Sequence, residues 1–87
     1  MLYRIFTENK KPRQVEQLVS QVFDGFTLVK TCGFWKGKPE RGLLIEIDAV
    51  GDEKRDAVFK LAEALGALND QESVMVQTIK DVHTIFI

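Results

Sequence analysis

Two β-rich segments near the middle of the chain meet at Cys32-Gly33-Phe34-Trp35-Lys36-Gly37-Lys38-Pro39-Glu40-Arg41-Gly42. This stretch holds the only tryptophan and the only cysteine of the 87-residue chain, together with three of its six glycines. Glycine and proline are typical of turns, whereas the flanking segments, 26–35 and 43–50, are rich in β-branched and aromatic residues. We therefore predict a hairpin of two central strands, with a somewhat long loop from Lys36 to Gly42.

The segment before this hairpin predicts a strand followed by a helix. Residues 2–7 are short and β-rich, and the polar loop after them ends at Pro12, which suits the first turn of a helix. Apolar residues then recur at helical spacing, namely Val15, Leu18, Val19, Val22 and Phe23. Asp24-Gly25 is expected to end this helix, with Gly25 in the residue position that follows the C-cap.

The segment after the hairpin repeats the pattern of a helix followed by a strand. Gly51-Asp52 is expected to end the third strand, which we place at 43–50, and to cap a second helix. The buried stripe of that helix is Val58, Leu61, Ala62, Leu65 and Leu68. Asn69-Asp70 should end it, a fourth strand should run over 73–79, and the tail at 82–87 is again β-like.

The order of these elements indicates one α+β domain over residues 1–87. A β-α-β-β-α-β sequence is the ferredoxin-like arrangement, in which two helices cover one face of a four-stranded antiparallel sheet. The right-handed crossover rule gives the strand order 4-1-3-2. The C-terminal β tail is an addition to this sheet.

Composition narrows the classes of function. Twelve basic and thirteen acidic residues give a net charge of −1, which argues against binding of extended nucleic acid. The sequence has no signal-peptide pattern and no apolar run near the ~20 residues of a membrane span, so we expect a cytoplasmic protein that does not bind membranes. It contains no nucleotide-loop, dinucleotide, zinc-protease or serine-hydrolase motif, so we predict no enzyme activity, cofactor or metal.

Five short pieces of the sequence resemble a group of short bacterial and phage proteins of unassigned function. These pieces are Tyr3–Glu8, Phe23–Thr27, Gly33–Lys38, Leu44–Ile47 and Asn69–Glu72, so the resemblance spans nearly the whole chain. It implies the same ferredoxin-like fold and a role for the Gly-Phe/Tyr-Trp-Lys-Gly hairpin, and it supplies no reaction.

The hairpin is the strongest candidate for a binding site. Trp35 offers a π-face, and cationic side chains follow it at Lys36, Lys38 and Arg41. Stacking beside positive charge suits a nucleotide or another anionic aromatic ligand. Arg4 and Lys30 would join this site if their strands bring them near it. In the alternative interpretation, Trp35 covers the open sheet face or a seam between subunits, and the lysines are solvated.

Glu46 is the second candidate, since a charge between two apolar residues of a central strand needs a partner. Glu46 and Asp48 should lie about 7 Å apart on one strand face, where two carboxylates can hold a cation or act as acid and base. We favour an ion pair of Glu46 with Arg4 or Lys30, and predict no metal site. Cys32 is expected to be small and buried, and Phe34 should lie on the same packed face of its strand.

The second face of the sheet mixes apolar and charged residues, which suggests that another copy of the chain covers it. The apolar tail should add to a sheet edge in its own subunit or in a neighbour. We therefore expect a non-enzymatic homo-oligomer that binds a nucleotide or a similar anionic signal, for sensing or sequestration. The alternative is a protein-interaction module, such as an inhibitor or adaptor, that uses the open face and the C-terminal strand.

Overall fold

The computed structural model describes residues 1–49 and 53–87. In these residues it has four strands and two helices, in the order β1 (Leu2–Glu8), α1 (Pro12–Ser20), β2 (Thr27–Trp35), β3 (Lys38–Asp48), α2 (Glu53–Leu68) and β4 (Met75–Ile79). The predicted end of the third strand at Val50 and the predicted cap at Gly51-Asp52 lie outside the described residues.

All four strands form one antiparallel sheet in the order β2-β3-β1-β4. This is the predicted order read from the opposite edge, and it confirms the ferredoxin-like βαββαβ fold. The register places Ile45 at the centre of the sheet, opposite Ile5 on β1 and opposite Leu28 on β2. Because side chains alternate between the two faces of a strand, this register decides which residues meet the helices.

The core lies between the sheet and both helices. Tyr3 and Ile5 of β1 are buried, as are Leu43, Ile45 and Ile47 of β3. They pack in one cluster with the apolar stripes of the helices, which comprise Val15 and Val19 of α1 and Val58, Leu61 and Leu65 of α2. Full burial of such an aliphatic side chain stabilises the fold by about 1.5–3 kcal/mol. The opposite sheet face, hereafter the open face, carries half-buried and exposed side chains.

The end of α2 is tied to the end of β1. Asp70 has a left-handed backbone (φ 54°) directly after the helix, which confirms the predicted end at Asn69-Asp70. The buried Asn69 donates from Nδ2 to Thr7 Oγ1 at 2.9 Å. Lys10 and Lys11 donate from Nζ to the carbonyl oxygens of Asn69 and Leu68, where positive charge suits the helix dipole.

Two predicted elements differ from the structure. The first helix begins at Pro12 as predicted, but it ends at Ser20 with Gln21 as its C-cap, so the predicted end at Asp24-Gly25 is wrong. The apolar residues keep their helical spacing beyond Ser20 because Phe23 packs in the core from the turn after the helix. Its N–H still donates to the carbonyl oxygen of Val19 there. The tail at 80–87 forms no strand in this subunit.

Candidate functional site

The two central strands extend beyond the rest of the sheet. Pairing of β1 with β3 ends where Glu8 lies opposite Gly42, whereas pairing of β2 with β3 continues to Trp35 and Lys38. Residues 31–42 therefore form a two-stranded ribbon, hereafter the arm, that projects from the body of the domain. The elongated shape of the molecule, 38 × 25 × 21 Å, agrees with this projection.

A tight turn closes the arm at its tip. Lys36 (φ 51°) and Gly37 (φ 78°) are both left-handed, as a two-residue type I′ turn requires. The long loop predicted from Lys36 to Gly42 is therefore wrong, since β3 already begins at Lys38. The proline and the glycines that suggested a loop are accommodated within the ribbon.

Pro39 is tolerated in β3 because of its position in the hydrogen-bond ladder. The pair that closes a two-residue hairpin, here Trp35 and Lys38, exchanges both of its backbone bonds, so the backbone of the next residue points away from β2. The bond from the Asn9 N–H to the Arg41 carbonyl (3.5 Å) shows the same alternation two residues further along. Pro39 thus has its nitrogen on a free edge, where no ladder bond is lost.

The arm tip brings together three of the predicted site residues. Trp35 is 64% exposed. Lys36 Nζ lies 5.8 Å from the centroid of its ring, within the range of a cation–π contact. Lys38 is the cross-strand partner of Trp35, so both side chains lie on one face of the ribbon. An aromatic face and two ammonium groups are therefore adjacent and open to solvent.

Arg41 lies further down the arm. It is three residues from Lys38, about 10 Å along the strand, and odd spacing places its side chain on the opposite ribbon face from Trp35. The structure therefore does not bring Arg41 to the ribbon face that carries Trp35 and Lys38.

Arg4 and Glu46 form a separate pair on the open face. Arg4 Nε donates to Glu46 Oε2 at 2.9 Å, which confirms the predicted ion pair. Glu46 lies opposite Thr27, eight residues before Trp35, a distance of about 26 Å along β2. The structure therefore does not bring Arg4 or Glu46 to the arm tip within one subunit.

Two side chains of the arm are more exposed than predicted. Cys32 is exposed, so the prediction of a buried cysteine is wrong. Phe34, which was assigned to the packed face, is 73% exposed. Both side chains lie on the expected face of β2, since Leu28 on that same face packs against the core. The helix-covered core ends before the arm begins, so this face of the ribbon lacks a cover.

A cleft of about 550 Å³ lies at the base of the arm. Its lining includes the apolar side chains of Phe6 and Met75 and polar side chains, namely Thr7, Glu8, Lys10, Arg41 and Gln71. Lys10 Nζ lies 2.7 Å from Glu8 Oε2, and Thr7 Oγ1 donates to Gln71 Oε1 at 2.6 Å. Sequence reasoning missed this cleft because its walls come from three distant segments of the chain.

Gly42 allows the close approach of strands at this base. A Cβ atom at this position would lie 2.8 Å from Thr31 Oγ1 and 3.0 Å from the Thr7 carbonyl oxygen. Since the second contact is with backbone, a larger residue would have to displace β1 or β3.

The open face of the body carries a row of apolar side chains across all four strands. Val29 lies opposite Leu44, Leu44 opposite Phe6, and Phe6 opposite Met75. Val29 is 40% exposed and Met75 is 53% exposed. The adjacent row contains the Arg4–Glu46 pair, so the face is both apolar and charged, as predicted.

Within residues 1–49 and 53–87, no three histidine, cysteine or acidic side chains lie close enough together to hold a metal ion. In the same residues, no helix is both long enough and apolar enough to cross a bilayer. His83 is exposed in the tail.

These features define an α+β domain of the ferredoxin-like class with an extended β2–β3 arm. A solved structure of this class is that of a DUF3240 family protein from Shewanella baltica OS155, with a TM-score of 0.65 and 18% sequence identity. The match covers 98% of this chain and 94% of that one, and at this identity it is a likeness of fold. It agrees with the fold that the predicted resemblance implies, whereas the hairpin motif of that resemblance stays a prediction. No protein-family model matches the chain, and no curated protein matches it.

Proposed function

We propose that the protein is a non-enzymatic, homo-oligomeric module of the cytoplasm that binds a nucleotide or a similar small anionic signal at the arm tip, for sensing or sequestration. The observation that carries this proposal is the exposed Trp35 ring with Lys36 and Lys38 beside it. Stacking of a base on an aromatic side chain contributes about 1–3 kcal/mol, and the two ammonium groups would meet a phosphate.

The homo-oligomer belongs to this proposal because one arm offers a ligand only one wall. Trp35 and Lys38 occupy a single face of a two-stranded ribbon, so a ligand stacked there would keep its other face in water. A second copy can supply the second wall, and its Arg41 or Arg4 can supply a further cation. The apolar row through Leu44 and Phe6 gives the copies a surface to bury.

The single tryptophan provides the test. Nucleoside mono- and triphosphates are titrated into the protein while Trp35 fluorescence is recorded, and calorimetry measures the same binding in variants without the fluorophore. We expect quenching in the wild type and a loss of affinity of about tenfold or more in Trp35→Ala. Phe59→Ala, which truncates a partly exposed aromatic side chain of α2, is the matched control and should bind normally. Unchanged binding in Trp35→Ala, or no binding by the wild type, would refute the proposal.

The second candidate function is a protein-interaction module, favoured by the exposed apolar tail. Ile85 and Phe86 are 67% and 94% exposed, and a strand-like segment of this kind can add to a partner's sheet. A stoichiometric partner that is lost on deletion of 84–87, yet kept by Trp35→Ala, would favour this function over ligand binding.

A further inference from the structure

The outer edge of β2 is a long strand edge without protection. Within residues 1–49 and 53–87, β2 pairs only with β3, so the nine residues from Thr27 to Trp35 present one free side. The ladder alternation established at Pro39 and Arg41 places the outward N–H and C=O groups on every second residue of β2, namely Leu28, Lys30, Cys32 and Phe34. No proline interrupts this edge, and Lys30 is its only charged residue.

The other side of the arm is protected. On the free side of β3 the outward positions are Pro39 and Arg41, and proline has no N–H to donate. Natural sheets block pairing with other chains by this kind of substitution at an exposed edge. The chain therefore blocks one edge of the arm and leaves the other, longer edge open to a further strand.

The tail is a strand-forming segment without a strand partner. Residues 82–87, Val-His-Thr-Ile-Phe-Ile, are mostly β-branched or aromatic, yet they form no strand in this subunit. Thr84 Oγ1 donates to Asp48 Oδ2, which holds the tail at the end of β3. Asp48 lies two residues beyond Glu46, where the pairing with β2 begins, and the tail forms no strand beside β2 of its own chain.

We propose that the tail of one copy adds as a strand to the outer edge of β2 in a second copy. Since the donor and the acceptor are different surfaces, two copies can exchange tails in a two-fold dimer, or the contact can repeat head to tail around a closed ring. Each contact pairs the outward backbone groups of β2 and covers Phe86 and Phe34. This inference rests on the homo-oligomer of the proposed function, and does not depend on a nucleotide.

The lone cysteine tests the proposal directly, because Cys32 lies exposed on the acceptor edge. Phe86→Cys places a second thiol in the donor segment. Under mild oxidation we expect an intermolecular disulfide between Cys32 and the new thiol, seen on non-reducing gels and assigned by peptide mass spectrometry. Glu63→Cys, on the exposed surface of α2, is the matched control and should give no more dimer than the wild type. Equal yields from the two variants would overturn the proposal.

Amide exchange is the second measurement and avoids any new thiol. The outward N–H groups of Lys30 and Cys32 should exchange at least tenfold more slowly in the wild type than in Phe86→Lys. The inward N–H groups of Val29 and Thr31, which pair with β3, should be unaffected by that substitution. A monomeric wild type, or outward amides that exchange equally fast in both proteins, would overturn the proposal. Either result is independent of whether a nucleotide quenches Trp35.

Discussion

The two halves of β3 both pair with β2, but their side chains have opposite environments. From Leu43 to Asp48 the strand alternates between buried and partly exposed side chains, with Ile45 fully buried. From Lys38 to Arg41 every side chain is exposed, although β2 pairs with both halves without interruption. Of these two halves, the one from Leu43 to Asp48 lies beside β1 and beneath the helices.

The difference shows what holds each half in place. A two-stranded ribbon is marginally stable in water by itself, so the arm depends on its tight turn and on the body at its base. Its exposed aromatic side chains, Phe34 and Trp35, add little to the core of this subunit. We therefore propose that these two aromatic side chains make their contacts outside the chain, with a ligand or a second copy.

The largest effect that separates the halves should come from truncation in the core. Ile45→Ala removes a fully buried side chain in contact with both neighbouring strands, and we expect the free energy of unfolding to fall by about 2–5 kcal/mol. Phe34→Ala in the arm removes a larger side chain that is 73% exposed, and should change the same quantity by about 0.5 kcal/mol or less.

Urea denaturation, with both variants at the same protein concentration, measures the change in the free energy of unfolding. Since burial of the arm against a second copy would raise the cost of Phe34→Ala, the measurement is repeated at high dilution. A cost for Phe34→Ala that matches the cost for Ile45→Ala at high dilution would contradict the division into a packed half and an unpacked half.

The second effect concerns the joint between the halves. Gly42→Ala would place Cβ 3.0 Å from the Thr7 carbonyl oxygen and 2.8 Å from Thr31 Oγ1, so we expect a loss of about 1–3 kcal/mol. Gly33 lies on the same ribbon face, with nothing within 4 Å of an added Cβ. Gly33→Ala is thus the matched control, and should be neutral or slightly stabilising. Equal destabilisation by both substitutions would contradict close approach at Gly42 as the cause of its effect.

Local sequence patterns were sufficient for the body of the fold. Alternation of Ile45 and Ile47 with the charged Glu46 and the helical stripe ending at Leu68 marked the buried faces, because a residue's side of an element follows from its spacing. These patterns gave the element order, and the crossover rule then gave the strand order. The end of α1 was misplaced because Phe23 keeps the apolar spacing after the helix has ended.

The arm was not predictable in the same way. Gly37 and Pro39 are common in loops, and whether a strand tolerates a proline depends on which way its nitrogen points in the ladder. That direction follows from the pairing register, which the local sequence does not contain. The polar contacts among Thr7, Asn69 and Gln71 likewise join residues more than 60 positions apart. The Arg4–Glu46 pair was predictable because a carboxylate between two buried residues of a central strand required a cation.

The smallest expected effect comes from breaking that ion pair. It tests whether a second copy covers the open face of the body, as we propose for the outer edge of the arm. In an isolated subunit Arg4 and Glu46 are 38% and 28% exposed, so Glu46→Gln should cost about 1 kcal/mol or less, and less still in high salt. If a second copy covers this face, the same change would leave Arg4 charged and unpaired in a dry interface, where removal of one partner costs about 3–5 kcal/mol.

The measurement is the free energy of unfolding at several protein concentrations. The loss caused by Glu46→Gln should grow as the concentration rises, whereas the loss caused by the double variant Arg4→Met/Glu46→Gln, which leaves no unpaired charge, should not. A cost for Glu46→Gln that is independent of concentration would place this face in water and confine contacts between copies to the arm and the tail.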